Sequence, residues 1–102
     1  MSEFVKALPV EELPPGRGTE LSLGGQAVAL FNVEGRFYAI SNTCLHRGGP
    51  LGQGFVEGST VTCPWHAWTF DVTNGRNVVN GELKVTSFET KIEDGHVLVK
   101  VG

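Results

Sequence analysis

Both cysteines of this 102-residue chain, and two of its three histidines, fall inside one stretch, Cys44–His66, which reads CLHRGGPLGQGFVEGSTVTCPWH. It limits the fold more than any other feature, because the sequence on either side alternates and this stretch does not. Before it, QAVALFNVEGRFYAIS sets two apolar and β-branched runs around Glu34-Gly35, the pattern of a hairpin. After it, VTSFETKIEDGHVLVKV repeats the design around Asp94-Gly95. In the first arm Thr86, Phe88, Thr90 and Ile92 fall on one face. In the second arm Val97, Val99 and Val101 fall on one face, with His96, Leu98 and Lys100 on the other. Phe4–Leu8 reads as an opening strand and Leu13–Gly18 as a turn, while Gly24-Gly25 and Asn74-Gly75 mark further turns. No segment of helical length keeps a 3.6-residue period. The pattern predicts an all-β sandwich or small barrel carrying one irregular, glycine-rich insertion from about Cys44 to Gly58.

Length and composition narrow the class. The chain fits a single domain, residues 1–102, and 40% hydrophobic with 19% charged residues is a globular balance. Fourteen glycines and five prolines imply frequent turns and short strands. A net charge of −3, with no cluster of Lys and Arg, argues against nucleic acid as a partner. No apolar run reaches membrane-spanning length, and the first residues lack the basic start and apolar block of a secretory signal. A cytoplasmic protein is the expectation. In a reducing compartment Cys44 and Cys63 read as metal ligands rather than as a disulfide.

The ligand pattern is Cys44-x-His46, a spacer, then Cys63-x-x-His66. Thiolates select zinc, copper(I) and iron–sulfur centres, and imidazole serves several of these. Two assignments fit: a closed Cys₂His₂ zinc site, or a [2Fe–2S] cluster with two Cys on one iron and two His on the other. Zinc fingers usually pair Cys with Cys and His with His. Here each half carries one of each, which suits a binuclear centre with one ligand per iron from each loop.

CLHRGGPL followed by CPWHAWTFD resembles the two binding boxes of Rieske iron–sulfur proteins, matching at all four ligands, at Gly48-Gly49-Pro50-Leu51 and at Pro64. The resemblance implies a β-sandwich base with a smaller inserted cluster-binding subdomain, about residues 43–72, and one [2Fe–2S] cluster held by Cys44, His46, Cys63 and His66. It further implies imidazole edges that reach solvent at the tip of that subdomain. Leu45 and Trp65 lie between ligands, where they would either dock on partners or shield the cluster. Two thiolates and two neutral imidazoles leave the oxidised centre formally neutral, so it accepts an electron more readily than a four-thiolate cluster.

High-potential members of the family carry a Ser and a Tyr after the second box and two extra cysteines. The matching positions here are Trp68 and Phe70, and Gly49 and Trp65. With those hydroxyls and that disulfide missing, the resemblance implies a potential near the low end of the Rieske range, about −150 mV. Oxygenases of the family add an iron site of two His and a carboxylate. Once His46 and His66 are assigned, His96 alone is left, reading as a surface strand residue.

The chain therefore resembles stand-alone Rieske ferredoxins. Such a protein is expected to be a monomeric electron carrier, not an enzyme, passing electrons from a reductase to a terminal oxygenase. A small subunit of an NAD(P)H-dependent nitrite reductase and a zinc-stabilised, non-redox interaction module are the alternatives.

Overall fold

The computed structural model describes residues 4–43, 49–64 and 68–101. Among these residues ten strands run in chain order: β1 (Phe4–Pro9), β2 (Gly18–Leu23), β3 (Gln26–Val33), β4 (Arg36–Ser41), β5 (Phe55–Glu57), β6 (Thr60–Thr62), β7 (Thr69–Asp71), β8 (Ser87–Phe88), β9 (Thr90–Glu93) and β10 (His96–Lys100). Among the described residues, helical structure is limited to two 3₁₀ turns, Val10–Glu12 and Leu51–Gln53. The strands form three antiparallel sheets in the orders β1-β10-β9, β2-β3-β4-β8 and β5-β6-β7.

In the two larger sheets three hairpins close in two residues. Leu23 pairs with Gln26, Val33 with Arg36, and Glu93 with His96. Their turn residues all have positive φ, including Glu34 at 52° before Gly35 at 91° and Asp94 at 52° before Gly95 at 75°. Two successive left-handed residues twist the chain in the sense that the flanking strands require. The sequence signals at Gly24-Gly25, Glu34-Gly35 and Asp94-Gly95 thus fix the register of the two larger sheets.

The β2-β3-β4-β8 sheet is buried on both faces. Val28 and Leu30 of β3, with Phe37 and Ala39 of β4, join Leu13, Leu23, Val97 and Val99 in one apolar cluster. Ala29 and Phe31 of β3, with Ile40 of β4, join Leu51, Val61, Cys63, Phe70, Val72 and Val85 in a second. The unbroken apolar run from Val28 to Phe31 follows from this, since a strand between two layers needs apolar residues on both faces. Gly18 pairs with Phe31 across β2 and β3, and a Cβ there would sit 2.5 Å from the Phe31 ring. A bare backbone at Gly18 makes room for the largest side chain of the second cluster.

Three sequence expectations need correcting. The arm from Thr86 to Ile92 is not one strand. Ser87–Phe88 pairs with β4 and Thr90–Glu93 with β10, so the chain changes sheet at Glu89. Phe88 packs on the first cluster while Ile92 is 54% exposed, because a strand that switches sheets does not keep one inner face. The glycine-rich insertion is also less irregular than its composition suggests, since a 3₁₀ turn and β5 form within it. Finally, Gly18 opens β2 rather than ending a turn.

The chain leaves the central sheet after Ser41 and returns beside its point of departure. Ile40 pairs with Ser87, and the Ser41 amide donates to the Thr86 carbonyl at 2.8 Å. Everything between, including the small β5-β6-β7 sheet, is one excursion from the edge of β4.

Phe31→Ala removes a fully buried ring shared by β3 and the excursion, and is expected to cost about 3–5 kcal/mol in urea unfolding. Phe55→Ala, at a ring 81% exposed, is expected to stay within about 0.5 kcal/mol of wild type in the same assay.

Candidate metal centre

The candidate ligands fall in two segments of the excursion, each bordered by described residues. The first lies between Thr43 and Gly49. An isolated bridge pairs Thr43 with Pro50, and the Leu51 amide donates to the Asn42 carbonyl at 2.8 Å, so the two ends of this loop are held together. The second loop grows from the β6–β7 hairpin. Thr62 pairs with Thr69, their hydroxyls meet at 3.0 Å, and the Cys63 amide donates to the Trp68 carbonyl at 2.7 Å. Both loops therefore start from closed stems. The stems also share a foundation, because Leu51 of the first and Cys63 of the second belong to one buried cluster.

Of the four expected ligands, Cys63 is placed. It is 2% exposed, at the end of β6, in a cluster with Leu51, Val61, Phe70, Val72 and Val85. Cys44, His46 and His66 lie outside the described residues, as do Leu45, Gly48 and Trp65. Among the described residues no three His, Cys, Asp or Glu side chains converge as a metal site elsewhere. His96 sits on β10, in a different sheet from Cys63, with its Nδ1 3.1 Å from the Asp94 carbonyl oxygen.

The surroundings of Cys63 suit a soft metal centre. A bare thiolate is costly among apolar side chains, and a metal cation that shares its charge removes that cost. The apolar floor also limits water near the sulfur, and this is one of the properties by which a protein sets a centre's potential. Phe70 is fully buried beneath this region. Trp68 is only half-buried. It packs on the same cluster and lines a cavity of about 280 Å³ with Thr69, Asn77, Val79, Asn80 and Leu83.

The glycines after the first box are held by close approach within the protein. A Cβ on Gly52 would lie 2.9 Å from the Glu20 backbone nitrogen and from the Thr19 carbonyl. The Gly52 amide donates to Asn42 Oδ1 at 2.7 Å. The Gly52 N–H is thus committed to Asn42.

Sequence reasoning missed the polar residues that organise this stem. Asn42, two positions before Cys44, uses its amide on Ala27, its carbonyl on Leu51, its Oδ1 on Gly52 and its Nδ2 on Glu20. Glu20 also accepts a hydrogen bond from Gln53. The Gln53 bond first, and the Asn42 bond second, hold the Glu20 carboxyl below the usual carboxylate range. These bonds are thus fully present at neutral pH and weaken only as pH falls through that lowered value. No motif marks Glu20 or Gln53, since each reads as an ordinary polar position. Asn42 in SNTC offers only the generic signal of a turn residue before the first box.

Known proteins resemble the chain along nearly its whole length. Residues 3–89 match the Rieske [2Fe-2S] domain family. The ferredoxin component of the naphthalene 1,2-dioxygenase/salicylate 5-hydroxylase systems of Ralstonia sp is 31% identical over 99 residues, covering 96% of this chain and 95% of that protein. The ferredoxin of carbazole 1,9a-dioxygenase from Nocardioides aromaticivorans IC177 superposes with a TM-score of 0.88 at 28% identity, covering 94% of this chain and 95% of that one. A chain in the complex of reduced oxygenase and oxidized ferredoxin of carbazole 1,9a-dioxygenase gives a TM-score of 0.87 at 26% identity, covering 95% of this chain and 92% of that one.

Gly52→Ala is expected to push the Leu51–Gln53 turn away from β2 and to destabilise the protein by about 1–3 kcal/mol in urea. Gly81→Ala, where the added Cβ meets open space, is the control expected to change stability little.

Proposed function

The chain belongs to the Rieske [2Fe-2S] domain family, and on that premise we propose that Cys44 and Cys63 hold one iron of its cluster and His46 and His66 the other. The protein is an electron carrier of a dioxygenase system rather than a catalytic enzyme, and it delivers electrons to a terminal oxygenase. One observation carries this reading. The chain and a ferredoxin component of a dioxygenase system cover each other at 96% and 95%, so the likeness runs over the full length of a carrier. When bound, the cluster supplies a site that takes up and gives back one electron.

The chain's own residues provide the holding and the shielding. The stems at Thr43–Pro50 and Cys63–Trp68 present the two ligand loops from one buried cluster, and Leu51 and Phe70 keep that cluster dry. This supports taking residues about 43–72 as the cluster-binding subdomain. Rigid stems suit electron transfer, since a carrier that rearranges little between oxidation states loses little time to rearrangement.

Redox partners are proteins, the relatives being components of multi-protein dioxygenase systems. An upstream reductase, a monomeric carrier and a cytoplasmic setting complete the proposal. No helix among the described residues is long and apolar enough to cross a membrane. The dioxygenase ferredoxin relatives support the oxygenase system over a nitrite reductase small subunit, and the family match supports iron and sulfide over a zinc-only module.

Iron and acid-labile sulfide in equal amounts, with electron paramagnetic resonance of the reduced protein, test the cluster. One zinc and no sulfide, in protein made with ample iron, would overturn the proposal. Redox titration is expected to give a midpoint near −150 mV, the low end of the family's range, and a value above about +100 mV refutes the argument from Trp68 and Phe70. His66→Cys adds a thiolate and is expected to lower the midpoint. An unchanged value would count against ligation by His66.

A further inference from the structure

The polar group that ties the first ligand loop to the rest of the fold is Glu20. Its Oε2 accepts from Asn42 Nδ2 at 2.8 Å, and its Oε1 accepts from Gln53 Nε2. Asn42 and Gln53 stand at opposite ends of that loop, one two residues before Cys44 and the other three residues after Pro50. A single carboxylate on β2 therefore grips both ends. Asn42 closes the circuit between them through the Leu51 and Gly52 amides. The backbone at Gly52 lies too close to Thr19 and Glu20 to admit a Cβ, so the grip is backed by direct packing of the turn on β2.

The chemistry of this arrangement is specific. Two amide NH₂ groups from separate segments converge on one carboxylate, and only an ionised carboxylate offers acceptors to both. A neutral amide in its place keeps one acceptor and turns a donor toward the other NH₂. Glu20 and Gln53 are exposed, so this network contributes little to burial, and its clear structural effect is to fix where Asn42 sends the chain. The residue reached two steps later is Cys44.

We propose that Glu20 is a positioning residue for the cluster: through Asn42 and Gln53 it sets the base of the first ligand loop and thereby the placement of Cys44 and His46. The proposal rests on the assignment of those two residues as ligands given above.

The test uses the full-length protein with its cluster and four variants: Glu20→Ala, Glu20→Gln, Gln53→Glu, and the double exchange of Glu20→Gln with Gln53→Glu. In the double variant the amide at position 20 keeps an oxygen for Asn42 and turns its NH₂ to the carboxylate at position 53. The grip is restored with the net charge unchanged. Loss of visible absorbance in the presence of an iron chelator is expected to be about tenfold faster in each single variant, the low end for residues that orient a metal's ligands. The reduced cluster's paramagnetic resonance signal is expected to shift in the single variants. The double variant is expected to return toward wild type in both rate and signal, which a generic loss of stability or of charge would not produce. Bleaching and spectrum unchanged in Glu20→Ala would overturn the proposal, as would a double variant no better than the worse single one. Should Glu20→Ala fail to fold, the near-isosteric exchanges still decide. A wild-type protein without a cluster removes the ligand assignment itself, whereas a coloured wild type with indifferent variants removes the role of Glu20 alone.

Discussion

Val28 and Leu30 of β3 enter one apolar layer while Ala29 and Phe31, their immediate neighbours, enter another, and the remaining architecture depends on this two-sided burial. A sheet solvated on one face would end the protein at a simple sandwich. Because β3 and β4 are apolar on both faces, a second layer has to cover Ala29, Phe31 and Ile40. The excursion between β4 and β8 supplies it through Leu51, Val61, Phe70, Val72 and Val85. The same side chains form the floor on which Cys63 rests. Stability and the proposed cofactor binding therefore share one set of contacts, and the region proposed to hold the cluster is also the cover of the central sheet.

The sequence made some of this plain and concealed the rest, for physical reasons. Hairpins at Glu34-Gly35 and Asp94-Gly95 were legible because positive φ at both turn positions restricts residue choice. The proposed ligand boxes stand out in the sequence because few residue types bind a soft metal, and their spacing is part of the chemistry. The split between β8 and β9 was hidden, since nothing in SFETKIE marks a strand that changes partners at Glu89. Glycines after the first box read only as an irregular insertion. Gly52 passes near the backbone of β2, and composition cannot say which neighbour a bare backbone accommodates. Glu20 and Gln53 were invisible because their roles arise only when β2 and the Leu51–Gln53 turn meet in space.

The two ligand loops are secured by different means. The Cys63 loop stands on a hairpin, with a cross-strand threonine pair and a main-chain hydrogen bond at its neck. Among the described residues flanking Cys44, an isolated bridge, the hydrogen bonds of Asn42 and the carboxylate of Glu20 do that work. One loop is thus fixed by regular structure and the other by side-chain chemistry. The second kind of support depends on a few individual groups and is the more sensitive to substitution.

The excursion departs after Ser41 and rejoins at Thr86, and those two residues are joined by a 2.8 Å hydrogen bond. A segment whose ends are neighbours behaves as a detachable head on a fixed handle. The length of the head itself matters little, because the entropy of closing a loop grows slowly with length. The requirement on any replacement is an oily underside fitted to Ala29, Phe31 and Ile40. Such a handle offers an engineer a place to graft heads that hold other metals, with β1–β4 and β8–β10 left untouched.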